Sequence, residues 1–211
     1  MKKISQYIVE KIKLSNDRFN QKVNLEYVDL GLPSGTLWAT CNIGANKPWE
    51  LGDHYAWAET EPKQVYNEET YKYTTEHGER FEVSNYTDID NNTILEQTDD
   101  IAYLSTGGKF VLPSKEQCVE LIEELETKWV TDYMDSGVEG RLFIGKNGNE
   151  LFFPLNGVID GKNRIKDYAY LWTNKPILNN TANMLYTGKQ TYKVTSLYRY
   201  YGAGIRGVLK K

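Results

Sequence analysis

The sequence predicts an α+β fold in which short antiparallel strands surround one strong helix, and three observations carry that expectation. Glycine (17 residues) and aromatic side chains (13%, including 16 tyrosines) are abundant in a chain of 211 residues, a composition that favours turns and strands over a mainly helical protein. The segment starting at Ser114 carries a complete helix signature. The strand candidates after it are too closely spaced for parallel crossovers, so antiparallel pairing is expected. With 40% hydrophobic residues the chain can bury a real core, and its length suits one domain with an appendage.

Residues 1–22 differ from the rest and read as an N-terminal arm or helix ahead of a domain at 23–211. Lys2, Lys3, Lys11, Lys13, Arg18 and Lys22 outnumber Glu10 and Asp17, a local excess of +4 that leaves −8 for the remainder of a chain of net charge −4. Ile4, Tyr7, Ile8, Lys11 and Ile12 would line one side of a helix of about three turns. Two readings stand. The helix packs on its own domain, or it docks on another protein, subunit or particle, since so short a helix is marginal without a partner surface.

From Glu26 the pattern turns to strands. Tyr27-Val28-Asp29-Leu30 leads into a Gly31-Leu32-Pro33-Ser34-Gly35 turn, and Thr36 to Thr40 returns as the second arm of a hairpin that sets Trp38 against the core. Asp53 to Glu59, with Trp57, is a further strand candidate, and Trp49 beside Pro48 suits either packing or a surface contact. Residues from about 60 to 106 are rich in Tyr, Thr, Asn and acids and weakly patterned. They read as an irregular insertion with a few short strands, too aromatic for simple disorder.

Ser114 can cap a helix with Gln117 as its reciprocal partner, and Cys118, Leu121, Ile122, Leu125 and Trp129 recur at helical spacing. Glu116, Glu120, Glu123, Glu124 and Glu126 fall mostly on the other side and read as a solvated face. Arg141 to Gly145 and Glu150 to Pro154 form a hairpin around Asn147-Gly148. Strands at 168–173, 182–186, 192–198 and 204–208 complete the series.

Several function classes are disfavoured at this point. The negative net charge makes no electrostatic case for a nucleic-acid partner. Cys41 and Cys118 sit in no CxxC and beside no ligand-spaced histidine, so they read as reduced thiols, and no zinc site or other cofactor is expected. No apolar run reaches the length of a membrane span. The first ten residues are too interrupted for a secretory signal, so the chain reads as cytoplasmic when synthesised. His54 and His77 lack an evident nucleophile or orienting acid. Ser34 has no Gly-x-Ser-x-Gly elbow, and Gly107-Gly108-Lys109 is not a phosphate loop.

One ordered set of motifs carries a family resemblance. It runs from Glu26-Tyr27-Val28-Asp29-Leu30-Gly31-Leu32-Pro33-Ser34-Gly35-Thr36-Leu37-Trp38 through Pro48-Trp49 and Gly52-Asp53 to Tyr55-Ala56-Trp57-Ala58-Glu59. Leu112-Pro113-Ser114, Gly148-Asn149-Glu150-Leu151-Phe152-Phe153-Pro154, Tyr170-Leu171-Trp172-Thr173 and Gly202-Ala203-Gly204-Ile205-Arg206-Gly207-Val208 follow in order. The set resembles a paralogous domain family abundant in gut Bacteroidetes and Fibrobacter, related to the C-type-lectin-like and formylglycine-generating-enzyme folds. Gly207 departs from the proline of the family's last strand.

The resemblance implies a C-type-lectin-like scaffold, and the residues narrow what it could do. Sulfatase-activating relatives use a cysteine pair near the C-terminus, and this chain has no cysteine after Cys118. Calcium-dependent lectins use Glu-Pro-Asn or Gln-Pro-Asp with Trp-Asn-Asp. Glu61-Pro62-Lys63 does not complete such a set, so no metal is expected. The fold also resembles ligand-binding proteins diversified by retroelements in phages and bacteria, whose variable residues precede a terminal Gly-x-Arg strand.

Here Tyr168, Tyr170, Asn174, Asn179, Asn180, Asn183, Tyr186, Tyr198, Tyr200 and Tyr201 gather before Gly204-Ile205-Arg206, a composition suited to recognition. The expected function is a non-catalytic module that binds a protein or glycan through this segment, in a phage or prophage particle. The alternative is an assembly protein whose aromatic surface joins subunits. Individual tyrosines remain open to a core role, while Trp38, Trp57 and Trp172 read as core anchors and Arg206 as a buried ion-pair partner.

Overall fold

The computed structural model describes residues 25–75, 82–87, 89–90, 92–177 and 180–210. Residues 1–22, read as an arm or helix, lie outside the described residues, as do His77 and Asn179. The described chain is a mixed α+β fold of short antiparallel strands, one major helix and long loops. Its elements are β1 (Tyr27–Asp29), β2 (Leu37–Ala39), α1 (Ile101–Ser105), β3 (Phe110–Val111), α2 (Lys115–Glu124), β4 (Glu126–Val130), β5 (Gly140–Ile144), β6 (Glu150–Pro154), β7 (Val158–Asp160), β8 (Asn163–Ile165), β9 (Ala169–Ile177), β10 (Thr181–Thr187), β11 (Tyr192–Tyr198) and β12 (Val208–Leu209).

The strands form a four-stranded sheet β1-β2-β12-β3, the three-stranded sheets β4-β5-β6 and β9-β10-β11, and the β7-β8 hairpin. Every ladder is antiparallel, as the short connections predict. β12 lies between β2 and β3 and so ties the end of the domain to its opening hairpin. The β7-β8 hairpin is not anticipated by the strand reading. It turns on Gly161-Lys162, with Gly161 at φ +59°, in the left-handed region that glycine enters freely.

Helix α2 starts where its cap predicts. The Ser114 hydroxyl accepts from the Gln117 amide at 3.1 Å, and the Gln117 side chain accepts from the Ser114 amide at 2.8 Å. It stops earlier than its periodicity suggests. Leu125 turns extended (φ −112°, ψ 144°), and the chain enters β4, whose five residues pair with β5. Trp129 is therefore on a strand, opposite Arg141, rather than on the helix. The 53–59 segment also differs from expectation, since only Tyr55 makes a β-bridge, to Ala203.

Two cores lie on the two sides of the central sheets, because alternate strand residues point to opposite faces. Tyr170, Trp172, Ala182 and Met184 face a core shared with Trp57, Tyr66, Tyr71 and Tyr86. Leu171 and Leu185 face the other, which holds Trp38, Phe143, Phe153 and the α2 residues Cys118 and Leu121. Both cysteines are free and buried. Among the described residues, no helix is long and apolar enough to cross a membrane.

Candidate functional site

The tyrosines that the sequence groups together separate into two patches. Tyr170 and Tyr186 are a cross-strand pair on β9 and β10. Tyr168 stacks on Tyr186 with ring centroids 4.1 Å apart, and Tyr170 stands edge-on to both. Tyr170 is buried at 8% exposure, and its hydroxyl donates to Asp167 at 3.1 Å. Lys193, opposite Tyr186 on β11, stands 5.8 Å over its ring. This patch therefore contains its own cation.

Tyr198 lies at the other end of the ladder. It pairs with Thr181, whereas Tyr186 pairs with Lys193, so the strand separates the two patches by about 17 Å. Tyr198, Tyr200 and Tyr201 form a triangle with ring centroids 5.4, 4.8 and 6.4 Å apart and planes within 32° of one another. Sides of that length do not fit a single column of three rings. The rings instead form an offset-stacked platform, with Tyr198 45% exposed and Tyr200 and Tyr201 half-buried.

The platform stands on a residue that the sequence reading does not single out. Arg199 is fully buried. Its guanidinium donates to the carbonyls of Thr181 (3.0 Å), Asn85 (3.0 Å) and Tyr86 (2.7 Å) and lies 4.9 Å over the Trp57 ring. Its own backbone bonds Asn180 and Trp57. Desolvation lowers its pKa, with Tyr71 the largest opposing influence. Next to it Gly202 lies so close to Tyr66 that an added Cβ would come within 2.8 Å of the ring, so this approach needs glycine. Gly202 also exchanges backbone bonds with Ile159, which brings β7 alongside.

That contact delivers Asp160. The Tyr201 hydroxyl donates to its carboxylate at 3.5 Å. Burial raises the Tyr200 phenol first, followed by Tyr201, Glu68 and Asp160. Burial and then Asp160 raise the Tyr201 phenol. The sequence signal for Asp160 was present in the Asp160-Gly161 turn chemistry. For Arg199 the only signal was a lone cation inside a tyrosine-rich strand end.

Among the described residues, the asparagines have other places in the fold. Asn174 lines a cleft of about 300 Å³ with Asp100, Gln117 and Lys210. Asn180 contributes its carbonyl to the Arg199 amide. Asn183 is buried at 4% exposure, its carbonyl accepting from the Thr173 hydroxyl at 3.0 Å. Trp38, Trp57 and Trp172 are all fully buried. Arg206 is buried too, but among the described residues it has no ion-pair partner. It donates to Asn42 Oδ1 (2.8 Å) and to the carbonyls of Ala39, Thr40 and Phe152, with its guanidinium 4.9 Å over Phe153. Carbonyl dipoles and a ring face, rather than an acid, offset its charge.

His54 is held away from acid–base work. Its Nε2 lies 3.0 and 3.2 Å from the Asn156 and Gly157 carbonyls and so carries the proton, while an Arg164 amino group lies 3.3 Å from Nδ1. Burial first, and Arg164 second, push its pKa down to about 4. Asp100 is the opposite case. Burial raises it to about 6 although it accepts from the Leu112 and Tyr103 amides. Among the described residues, no group of three His, Cys, Asp or Glu side chains is placed to hold a metal ion.

Fold and surface thus define a mixed α+β domain with an aromatic platform at one end of its three-stranded sheet. No protein-family model, curated protein or solved structure matches the chain.

Proposed function

We propose that this chain is a non-catalytic binding module of C-type-lectin-like type, related to the Bacteroidetes and Fibrobacter paralogous domains, that recognises a protein or carbohydrate through its C-terminal tyrosines. The observation that carries the reading is the Tyr198–Tyr200–Tyr201 platform, fixed from below by buried Arg199. Tyrosine offers large apolar contact area with a polar tip and only two side-chain torsions to freeze, so a pre-ordered tyrosine surface loses little entropy on binding. A phage or prophage particle, with residues 1–22 as the attachment arm, is the proposed setting.

The placement of the family motifs supports the same reading. Leu112-Pro113-Ser114 caps α2, Glu150–Pro154 is β6, Tyr170 to Thr173 lies in β9, and Val208 closes the first sheet.

The test is capture by the intact protein on panels of glycans and bacterial surface proteins, repeated with Tyr198→Ala, Tyr200→Ala and Tyr201→Ala combined. Reproducible capture that the triple variant loses, with its circular dichroism unchanged, is the expected result. Failure of every panel, together with a change of oligomeric state in the triple variant, would replace binding by subunit assembly.

A further inference from the structure

We propose that the outer edge of β11 pairs antiparallel with β11 of a second copy of this chain, about a two-fold axis at Thr195, so that the two β9-β10-β11 sheets join into one. β11 is the edge of its sheet, and among the described residues no other strand pairs with its outer side. The Arg199 amide donates to the Asn180 carbonyl at 3.0 Å, and the Gly188 amide donates to the Thr191 carbonyl at 2.7 Å. Those two bonds fix the alternation of the ladder. Lys193, Thr195 and Leu197 turn their backbone groups toward β10, and Tyr192, Val194 and Ser196 turn theirs outward. A row of outward amides and carbonyls is a template for another strand. The inference goes beyond the ligand of the platform, although Tyr198 belongs to both surfaces.

The devices that usually blunt a sheet edge are missing from this one. Tyr192–Tyr198 runs seven residues without proline, and its register with β10 is unbroken. Its one charge, on Lys193, stands 5.8 Å over the Tyr186 ring of the same sheet. Other edges differ. β4 is shorter and carries Glu126 and Lys128, and the outer side of β9 is engaged by Gly204, which bonds Tyr170 and Trp172.

The composition of the strand points to its own copy as the partner. Tyr-Lys-Val-Thr-Ser-Leu-Tyr has tyrosine at both ends and Thr195 at its middle. Antiparallel pairing about Thr195 uses all seven residues and sets Tyr192 of each copy opposite Tyr198 of the other. These are the exposed aromatic side chains of the strand, at 38% and 45%, and their even spacing puts them on one face of it. Cross-strand aromatic pairs stabilise a ladder. Charge selects the same direction. Antiparallel, Lys193 faces Leu197 of the second copy and the two lysines lie about 14 Å apart along the strands, whereas parallel in-register pairing would set them side by side. The Ser196 amide meets the Val194 carbonyl of the second copy. One strand pair buries little surface, so the dimer is a weak, reversible one.

The experiment is sedimentation equilibrium of the full-length protein from about 1 to about 500 μM, where the mass should rise from monomer toward dimer. Ser196→Pro removes an outward amide that β10 does not use, so this variant should keep its circular dichroism and associate at least about tenfold more weakly. Thr195→Lys and Thr195→Glu each set like charges face to face on the axis. Each should be monomeric alone, and an equimolar mixture of the two should dimerise, which also shows that both are folded. Hydrogen exchange of the Val194 and Ser196 amides should slow as concentration rises. A monomer mass at every concentration, a Ser196→Pro variant that associates like the parent, or a mixture that stays monomeric would overturn the proposal. Protection of those two amides that does not change with concentration would give the edge to another part of the same chain, and would overturn it too. Capture on the panels is read separately. Capture by a protein that never dimerises sinks the pairing and leaves the platform, and a dimer that captures nothing does the reverse.

Discussion

The two cores solve the same problem with different chemistry. Around Trp38 the backbone is paired by regular elements, α2 and the sheets, and the side chains that meet there are mainly aliphatic and phenylalanine. Around Trp57 long stretches have no ladder, and side chains satisfy the main chain instead. Trp57 Nε1 donates to the Thr173 carbonyl and Trp172 Nε1 to the Tyr55 carbonyl, each at 2.8 Å, while the Tyr71 hydroxyl donates to Trp57 at 2.9 Å. The Tyr66 hydroxyl reaches the His54 carbonyl, and Arg199 holds Thr181, Asn85 and Tyr86. A buried carbonyl needs a donor whatever supplies it. Much of the tyrosine content is therefore a substitute for secondary structure, which is why tyrosine count alone is a poor guide to a binding surface.

Removing the most connected of these donors is the hardest test of that contrast. Arg199→Ala leaves three carbonyls, that of Tyr86 buried and those of Thr181 and Asn85 partly so, without their guanidinium partner and opens a cavity against Trp57. A loss of about 3–5 kcal/mol is expected in urea unfolding. The platform should lose order with it, because its tyrosines flank the deleted side chain. A loss below about 1 kcal/mol would show that the irregular core does not depend on side-chain donors.

The second test uses pH, because among the described residues the Trp57 side alone buries a histidine. His54 has a folded pKa of about 4 against an unfolded 6.5. The unfolded chain therefore binds the proton first as pH falls. The stability from neutral His54 is complete above about pH 6.5 and is lost between there and about 4, a change of about 3 kcal/mol. Asp100 acts in the opposite direction. Its folded pKa is about 6 against 3.8, so its stability is complete below about 3.8 and lost as pH rises through 6. Where the windows overlap the two slopes offset each other. Asp100→Asn should expose the full His54 dependence, and His54→Gln should reverse the sign of the slope between pH 4 and 6 in unfolding measurements.

The third test compares the two tryptophans directly. Both are fully buried, but among the described residues Trp38 Nε1 has no hydrogen-bond partner while Trp57 Nε1 bonds Thr173. Tryptophan-to-phenylalanine exchange removes similar volume at each site. Trp57→Phe also leaves a carbonyl unpaired, whereas Trp38→Phe removes an orphaned donor. Trp57→Phe is expected to cost about 1–3 kcal/mol more than Trp38→Phe, measured as the difference in unfolding free energy.

The same contrast explains what could be seen in the sequence. The Ser114–Gln117 cap, the Asn147-Gly148 hairpin and the strands that become β9, β10 and β11 were legible because local chemistry and period agree there with the final pairing. Trp129 was assigned to the wrong element because the helical period continues past Leu125, and only the long-range ladder with β5 overrides it. Around Trp57 the deciding contacts join residues far apart in sequence, such as Arg199 to Asn85 and Tyr86, and Tyr86 itself sits at φ +58°. No local pattern announces such contacts. The candidate surface was legible as a tyrosine cluster. Its division into two patches, its Arg199 support and its acidic edge were not, because each depends on which strand end lies beside which loop.

The finest test separates tyrosines that hold the fold from tyrosines that are displayed. Tyr71 is buried, and its hydroxyl donates to the Trp57 carbonyl at 2.9 Å. Tyr71→Phe keeps the ring and deletes that donor, so it should cost about 1 kcal/mol. Tyr198 is 45% exposed; its ring stacks on Tyr200 and lies tilted beside Tyr201, contacts that phenylalanine retains. Tyr198→Phe should leave stability within about 0.5 kcal/mol of the parent, with both variants measured in parallel urea melts. Equal effects would mean that hydroxyl position does not separate the two roles, and the division between structural and displayed tyrosines would lose its basis. A cost at Tyr71 alone would assign its phenol oxygen to backbone satisfaction and show that the Tyr198 hydroxyl has no part in holding the fold.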